Sequence, residues 1–450
     1  MIVEYKIRTE IPLKRPYLSL LQTRVHPFTF IRGEYEYRTH MTSDESEGGT
    51  RDPLFRYDQP IFANEDILKI SHLPGPDKIV GRDEHMSKVA QALNPAIFGR
   101  EPTHLFIFGK TGSGKTLTAR LVSERLQHEA VREDVDVRIA VIDCGEQHTE
   151  ASVIKTLASQ VNDPSKSGMT IPERGLSTGD YYNRLWQVLD TCSDVTIVIL
   201  DEIDMLRDDE VLRKLSRAGE NQKIVDSRIG IIGISNKIDY PEELTERVKS
   251  SFAHDELVFP SYDANQLREI LENRKDAFKP SVLTDDVIPL ASALAAQEHG
   301  DARKAIDILR NAGRIARNES AETVTDDHVR AAKEKSEADR FSELLEGTAT
   351  QSKAVLYSLV LQTGGRKTAE ITTNKIYRQY LTVADDLDMD QLSERRVQEL
   401  LQELDFLNVI QSEVRGRGRG QGVHGTHRLL EDPDIVKRVL LRDSRISTLE

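Results

Sequence analysis

The chain has 450 residues, 38% hydrophobic and 30% charged, with 75 acidic against 61 basic side chains and a formal net charge of −14. This length implies two or three domains. No apolar run approaches the ~20 residues of a membrane-crossing helix, and two cysteines, Cys144 and Cys192, without metal-ligand spacing exclude a disulfide framework and point to a reducing cytosol. The acidic balance also excludes nucleic-acid binding over the whole surface, so any such contact requires segregated positive charge. Arg outnumbers Lys, and acidic pairs such as Asp208-Asp209, Asp285-Asp286, Asp326-Asp327 and Asp385-Asp386 mark the loops. An ordinary acidic cytosolic protein fits this composition; adaptation to a salty cytoplasm fits it better.

Residues 1–40 are mildly basic and rich in Tyr, Arg and His, with no apolar core long enough for a secretion signal. At Met41 the composition changes to Thr42-Ser43-Asp44-Glu45-Ser46-Glu47-Gly48-Gly49, an acidic start expected to be disordered. Met41 is therefore read as the natural start, and residues 1–65 as an N-terminal extension. A β/α alternation begins near Lys78, with strands expected at 104–108, 137–142, 195–200, 229–234 and 256–259 and helices between them. Near-continuous apolar runs such as 195–200 suit a parallel sheet buried on both faces. The first domain is therefore an α/β core over 66–260. From Tyr262 the pattern is helical, with helices expected at 264–278, 284–298, 302–318 and 325–338, giving an all-α lid over 261–345 and a polar linker at 340–351. In the last domain, 346–450, helices at 352–362, 373–386 and 394–406 precede strands at 407–415 and 424–430 that flank Gly416-Arg417-Gly418-Arg419-Gly420-Gln421-Gly422. Three helices and a Gly/Arg hairpin spell a winged helix-turn-helix.

The run Gly109-Lys110-Thr111-Gly112-Ser113-Gly114-Lys115-Thr116 fits G-x-x-x-x-G-K-[ST], and it follows an apolar strand and opens a helix at Leu117. Its glycines let backbone N–H groups curl around phosphate oxygens, and the helix N-terminus adds partial positive charge. Lys115 is placed to reach the β- and γ-phosphates and the Thr116 hydroxyl to ligate Mg²⁺. Asp201-Glu202-Ile203-Asp204 ends the most apolar strand; Asp201 would serve the Mg²⁺ shell and Glu202 would polarise an attacking water. The alternative for this pair is an acidic helix cap. Asn236, ending another core strand, would sense the γ-phosphate or simply form a turn. Arg303, in Gly300-Asp301-Ala302-Arg303, would swing onto the γ-phosphate or stand on the surface.

Together these residues resemble the AAA+ superfamily, with Walker A at 109–116, Walker B at Asp201-Glu202, sensor 1 at Asn236 and sensor 2 at Arg303. Ile79-Val80-Gly81-Arg82-Asp83-Glu84 with Ala92-Leu93-Asn94-Pro95-Ala96 narrows the resemblance to archaeal replication initiators, and so do Arg247-Val248-Lys249-Ser250-Ser251-Phe252, Phe259-Pro260-Ser261-Tyr262 and Ile171-Pro172-Glu173-Arg174-Gly175-Leu176-Ser177-Thr178. The resemblance runs from about Pro53 to the C-terminus. It implies an α/β P-loop AAA+ core, a helical lid and a C-terminal winged helix. Such a protein binds ATP or ADP with Mg²⁺, binds double-stranded origin DNA, recruits the MCM helicase and acts as a slow ATPase switch in the cytoplasm at the nucleoid. It also implies adenine contacts at Val80 and Gly81, lid contacts to nucleotide at Tyr262 and Arg274, and an arginine finger at Arg247. The last requires another initiator protomer on DNA; Tyr262 as core packing and Arg274 as a solvated face are the alternatives.

For DNA, Ser393, Arg395 and Arg396 open the third helix, where side chains meet base edges, and Arg415, Arg417 and Arg419 tip the wing. Lys166 and Arg174 lie in an insert, 162–186, that resembles the initiators' helical insertion, which implies a second DNA contact; an ordinary helical connection is the equal alternative. A promoter-binding regulator with a P-loop sensor, and a ring-forming remodeller, are the competing functions.

Overall fold

The structure, a computed structural model, describes residues 60–75, 78–252, 254–416 and 423–449. The expectations for residues 1–59, Arg417 and Arg419 lie outside these, and of Arg415 only the backbone is described.

Five strands form an all-parallel sheet: β1 (His104–Gly109), β2 (Val137–Asp143), β3 (Val195–Asp201), β4 (Arg228–Ser235) and β5 (His254–Phe259), in the order β2-β3-β4-β1-β5. Every residue of β1 is buried, and β3 is buried up to Asp201. Side chains alternate between faces. Leu105 and Ile107 therefore pack under α1 (Asp83–Leu93) and α2 (Lys115–Ala130), while Phe106 and Phe108 join the core beneath α3 (Glu150–Val161) and α4 (Thr178–Cys192). Lid helices α5 (Ala264–Glu272), α6 (Val287–Gln297), α7 (Ala302–Asn318) and α8 (Asp326–Leu344) enclose a separate core. The winged helix comprises α9 (Thr350–Thr363), β6 (Ile371–Thr372), α10 (Thr373–Asp386), α11 (Glu394–Phe406), β7 (Ile410–Gly416), β8 (Val423–Leu429) and α12 (Pro433–Leu440), with an antiparallel sheet in the order β6-β8-β7.

Four features depart from the sequence expectations. Of the polar stretch expected as a linker over 340–351, residues 350–351 are instead the start of α9 and 340–344 the end of α8. Val329 and Ala332 of this helix sit in the lid core, and Ala338 and Phe341 in the winged-helix core. Its polar residues face outward and pair across the junction, Glu334 with Arg438 at 3.3 Å and Asp339 with Arg442 at 3.4 Å. The first lid helix stops at Glu272 because Asn273 is taken by Lys78: Asn273 Nδ2 donates to the Lys78 carbonyl, and Lys78 Nζ to the Asn273 carbonyl. Residues 60–65 do not trail as an extension. Ile61 and Phe62 are buried in the lid core, Ala63 and Asn64 donate to the Ala277 carbonyl, and Glu65 pairs with Arg314 and Arg317. Helix α12 was not expected, though Asp432-Pro433 opens it and Ile435, Val436, Val439 and Leu440 bury its apolar stripe.

Helix α8 thus belongs to two cores at once. A proline at Ser336, between them, removes one backbone hydrogen bond and clashes with the preceding turn, costing about 3 kcal/mol. S336P should lower the urea midpoint accordingly and open a protease site between the two domains; an unchanged midpoint with no new cleavage would contradict a continuous helix.

Candidate nucleotide site and nucleic-acid interface

The P-loop leaves the carboxyl end of β1 and turns into α2, where open parallel sheets place their ligands. Gly112 and Gly114 take left-handed φ of 72° and 86°. A Cβ on Gly112 would collide with Asp301 of the lid, and one on Gly114 with the Tyr262 hydroxyl. The Ala302 N–H also donates to the Gly112 carbonyl at 3.3 Å. The loop is therefore pressed against the start of α7.

A cleft of about 700 Å³ opens between the core and the lid. Its polar end is walled by Thr111, Gly112, Ser113, Gly114, Lys115, Thr116 and Leu117. Lys115 is buried, and its Nζ donates to the carbonyls of Gly109 at 2.7 Å and Lys110 at 3.0 Å and to Asn236 Oδ1 at 3.0 Å. Burial pulls its ammonium down to about 8, opposed by Asp201 and reinforced by Arg303. Thr116 Oγ1 donates to Asp201 Oδ2 at 2.7 Å. That hydroxyl–carboxylate pair supplies the hard oxygen ligands Mg²⁺ takes alongside phosphate and water. Glu202 follows at φ 52°, a left-handed conformation uncommon for a side chain of its size, with its N–H on Asp201 Oδ1. Burial raises its carboxyl above the usual range, and Asp143, Asp201 and Asp204 push it further.

Asn236, Tyr262, Arg274 and Arg303 also line the cleft. Arg274 is buried, with Nη1 on the Ile270 carbonyl and Nε without a partner. The buried Ser113 hydroxyl also lacks a partner. Orphaned donors beside a glycine-built cradle fit an anionic, oxygen-rich ligand. The other end of the cleft is apolar, with Val80, Ile270 and Ile306, and suits a nucleobase. Gly81 sits just outside, closed over by Gln266.

Arg247 is not brought to this cleft; it is exposed on the short helix Glu246–Ser251, within electrostatic reach of Glu210. Three features were missed from the sequence. Arg82 is buried behind the loop, and Arg310, two helical turns beyond Arg303, lines the cleft; Lys69, Ile70, Ser71, His72, Leu73 and Pro74 cover its mouth. Arg82 stood inside a motif already quoted, and Arg310 lies seven residues past Arg303 on the same face. The covering segment carried no pattern.

In the winged helix, Ser393 caps α11 and accepts the Arg396 N–H. Both exposed arginines lean on carboxylates of their own helix: Arg395 on Glu399 at 3.5 Å, and Arg396 on Glu399 at 2.8 Å and Glu403 at 3.5 Å. The wing is seated by Asp405 Oδ1, which accepts the Ser412 N–H, and by buried His427 between the hydroxyls of Thr373 and Ser412. Lys166 pairs with Asp136 at 2.6 Å, so a phosphate there would displace that bond, and Arg174 is exposed on the loop preceding α4.

A cation held at about 8 sets a pH dependence. Unfolded lysine titrates near 10.4, so between about 8 and 10 the unfolded state binds more protons and this group's contribution to stability rises with pH. Phosphate binding needs the charged form, so ATP affinity should fall by up to tenfold per unit as pH rises above 8. Isothermal titration should show proton uptake that disappears in K115M; a flat profile in the wild type would contradict the assignment.

Comparison with known proteins places this geometry. Residues 99–232 match the AAA domain model, residues 268–334 the Cdc6 AAA+ ATPase-type lid domain, and residues 343–439 the CDC6 C-terminal winged helix domain. The chain is 50% identical over 406 residues to ORC1-type DNA replication protein 4 of Halobacterium salinarum, covering 90% of this chain and 98% of that one. It is 45% identical over 390 residues to ORC1-type DNA replication protein 9 of Haloarcula marismortui, covering 86% and 93%. Halophilic relatives accord with the acidic composition. Among solved structures, the Aeropyrum pernix ORC1 protein in complex with DNA superposes with a TM-score of 0.66 at 36% identity, over 87% of this chain and 100% of that one. With its P-loop core, Cdc6-type lid and winged helix, the chain belongs to the ORC1-type DNA replication proteins of archaea.

Proposed function

We propose that the chain is an ATP-controlled replication initiator: it holds ATP with Mg²⁺, binds double-stranded origin DNA through its winged helix, and in that state recruits the MCM helicase at the nucleoid. Slow hydrolysis to ADP ends the competent state. The observation that carries this reading is helix α8, one element shared by the lid that closes over the P-loop and the domain that carries α11 and the wing. The DNA complex of the A. pernix relative supports the choice of ligand.

Bound Mg²⁺ supplies charge neutralisation at the phosphate oxygens. Lys115 holds its proton toward the phosphates, Thr116 and Asp201 offer the metal their oxygens, and Glu202, with its raised carboxyl, takes a proton from the attacking water. Asn236 orients Lys115, and Arg303 joins the phosphates from the lid. Tyr262, Arg274 and Val80 frame ribose and base, with Gly81 just outside the cleft. Arg247 would serve a neighbouring protomer's nucleotide, since it stands outside this chain's own cleft.

On the DNA side, Ser393 positions α11, Arg395 and Arg396 leave their glutamates for base edges, and Arg415, Arg417 and Arg419 follow the groove. Lys166 and Arg174 add a contact from the core. E202Q should bind ATP and footprint repeated origin elements as the wild type does, with turnover reduced by about 10²- to 10⁴-fold. K115A should lose both the nucleotide and the ATP-dependent footprint. A footprint at promoters alone, or failure to retain MCM in a pull-down, would favour a transcriptional regulator and refute the initiator.

A further inference from the structure

Arg82 is the largest fully buried side chain among the described residues, 1% exposed, at the N-cap of α1. All three of its nitrogens find acceptors on the backbone. Nε donates to the Ser113 carbonyl at 3.0 Å, Nη1 to Gly81 at 2.9 Å and Nη2 to Pro260 at 2.6 Å, while the guanidinium lies 3.9 Å from the Tyr262 ring centroid. None of these partners is an anion, and among the described residues no carboxylate pairs with it. Carbonyl dipoles and a π-face satisfy its geometry without cancelling its charge. A buried cation left unpaired is costly, and burial already holds Arg82 below the usual arginine range.

Its position explains what would cancel the charge. Arg82 does not line the cleft; it sits behind the P-loop, bonded to the loop's own Ser113 carbonyl, while the front of that loop faces the cleft. We infer that Arg82 is a hidden member of the nucleotide site, a cation behind the phosphate-binding loop whose counter-ion is the polyphosphate on the loop's other side. This rests on the nucleotide reading above. Two consequences follow from charge alone. The unliganded fold carries the burden of an uncompensated cation, and polyphosphate binding relieves it. The same side chain also grips Pro260 and Tyr262, where the lid begins, so the relief is felt at the hinge.

The inference predicts opposite signs for stability and affinity. R82M keeps the aliphatic stem and drops the charge. Its unliganded melting temperature should equal or exceed that of R82K, which also gives up carbonyl bonds but keeps the charge, while its ATP affinity should fall at least tenfold further than its adenosine affinity. R82K should retain ATP affinity within about threefold. R82M that melts below R82K yet binds ATP like the wild type would overturn the inference and leave Arg82 a packing residue. Equal losses for ATP and adenosine, or R82K as weak as R82M, would overturn it too. Should R82M not fold, R82Q carries the comparison. Failure of both neutral variants while R82K folds would itself refute the claim that the charge burdens the unliganded fold. Wild-type protein that binds no ATP would remove the nucleotide reading and the inference together, whereas wild-type affinity in R82M removes only the latter.

Discussion

The architecture depends on how tightly the phosphate-binding loop is held from two sides. At Gly112 the lid approaches so closely that no side chain fits, and Asp301 occupies the place a Cβ would need. The Ala302 N–H closes on the Gly112 carbonyl. Asp301 also caps α7, accepting the N–H groups of Arg303 and Lys304. The residue that caps the helix carrying Arg303 and Arg310 is thus the residue that touches the loop. Helix α7 in turn packs against α8.

From there packed elements continue without a break into the last domain. Helix α8 begins in the lid core and finishes in the winged-helix core, and close-packed interiors transmit displacement rather than absorb it. The ion pairs across the junction are exposed, so they contribute little to stability individually. The buried apolar residues Ala338 and Phe341 do the joining. At the far end, hydrogen bonds among Asp405, Ser412, His427 and Thr373 tie the wing to α10 and α11. The arginines of α11 rest on Glu399 and Glu403, which in a strongly acidic protein limits indiscriminate attraction to phosphate.

The sheet was legible because its strands are buried on both faces and write themselves as apolar runs; each strand covers its expected range with one or two residues more. The P-loop was legible because its chemistry demands glycine at fixed spacing. Reading failed where tertiary contacts outweigh local pattern. The outer face of α8 is charged, so its end resembled a linker, although Phe341 and Leu345 are buried. Residues 60–65 looked like a tail because only the lid gives Ile61 and Phe62 a partner surface. Arg82 was passed over because a buried cation bonded to carbonyls leaves no mark in sequence. The carboxylate partners of Arg395 and Arg396 stand at helical spacing, but that spacing was not read as pairing.

The central claim is that the nucleotide in the first domain sets the posture of the last. Spin labels at exposed Glu124 on α2 and Asn374 on α10 would report it by double electron–electron resonance. The account predicts distinct distance distributions with ATP and with ADP, merging into one in K115A. Superimposable distributions in all three states, in protein shown to bind both nucleotides, would contradict it.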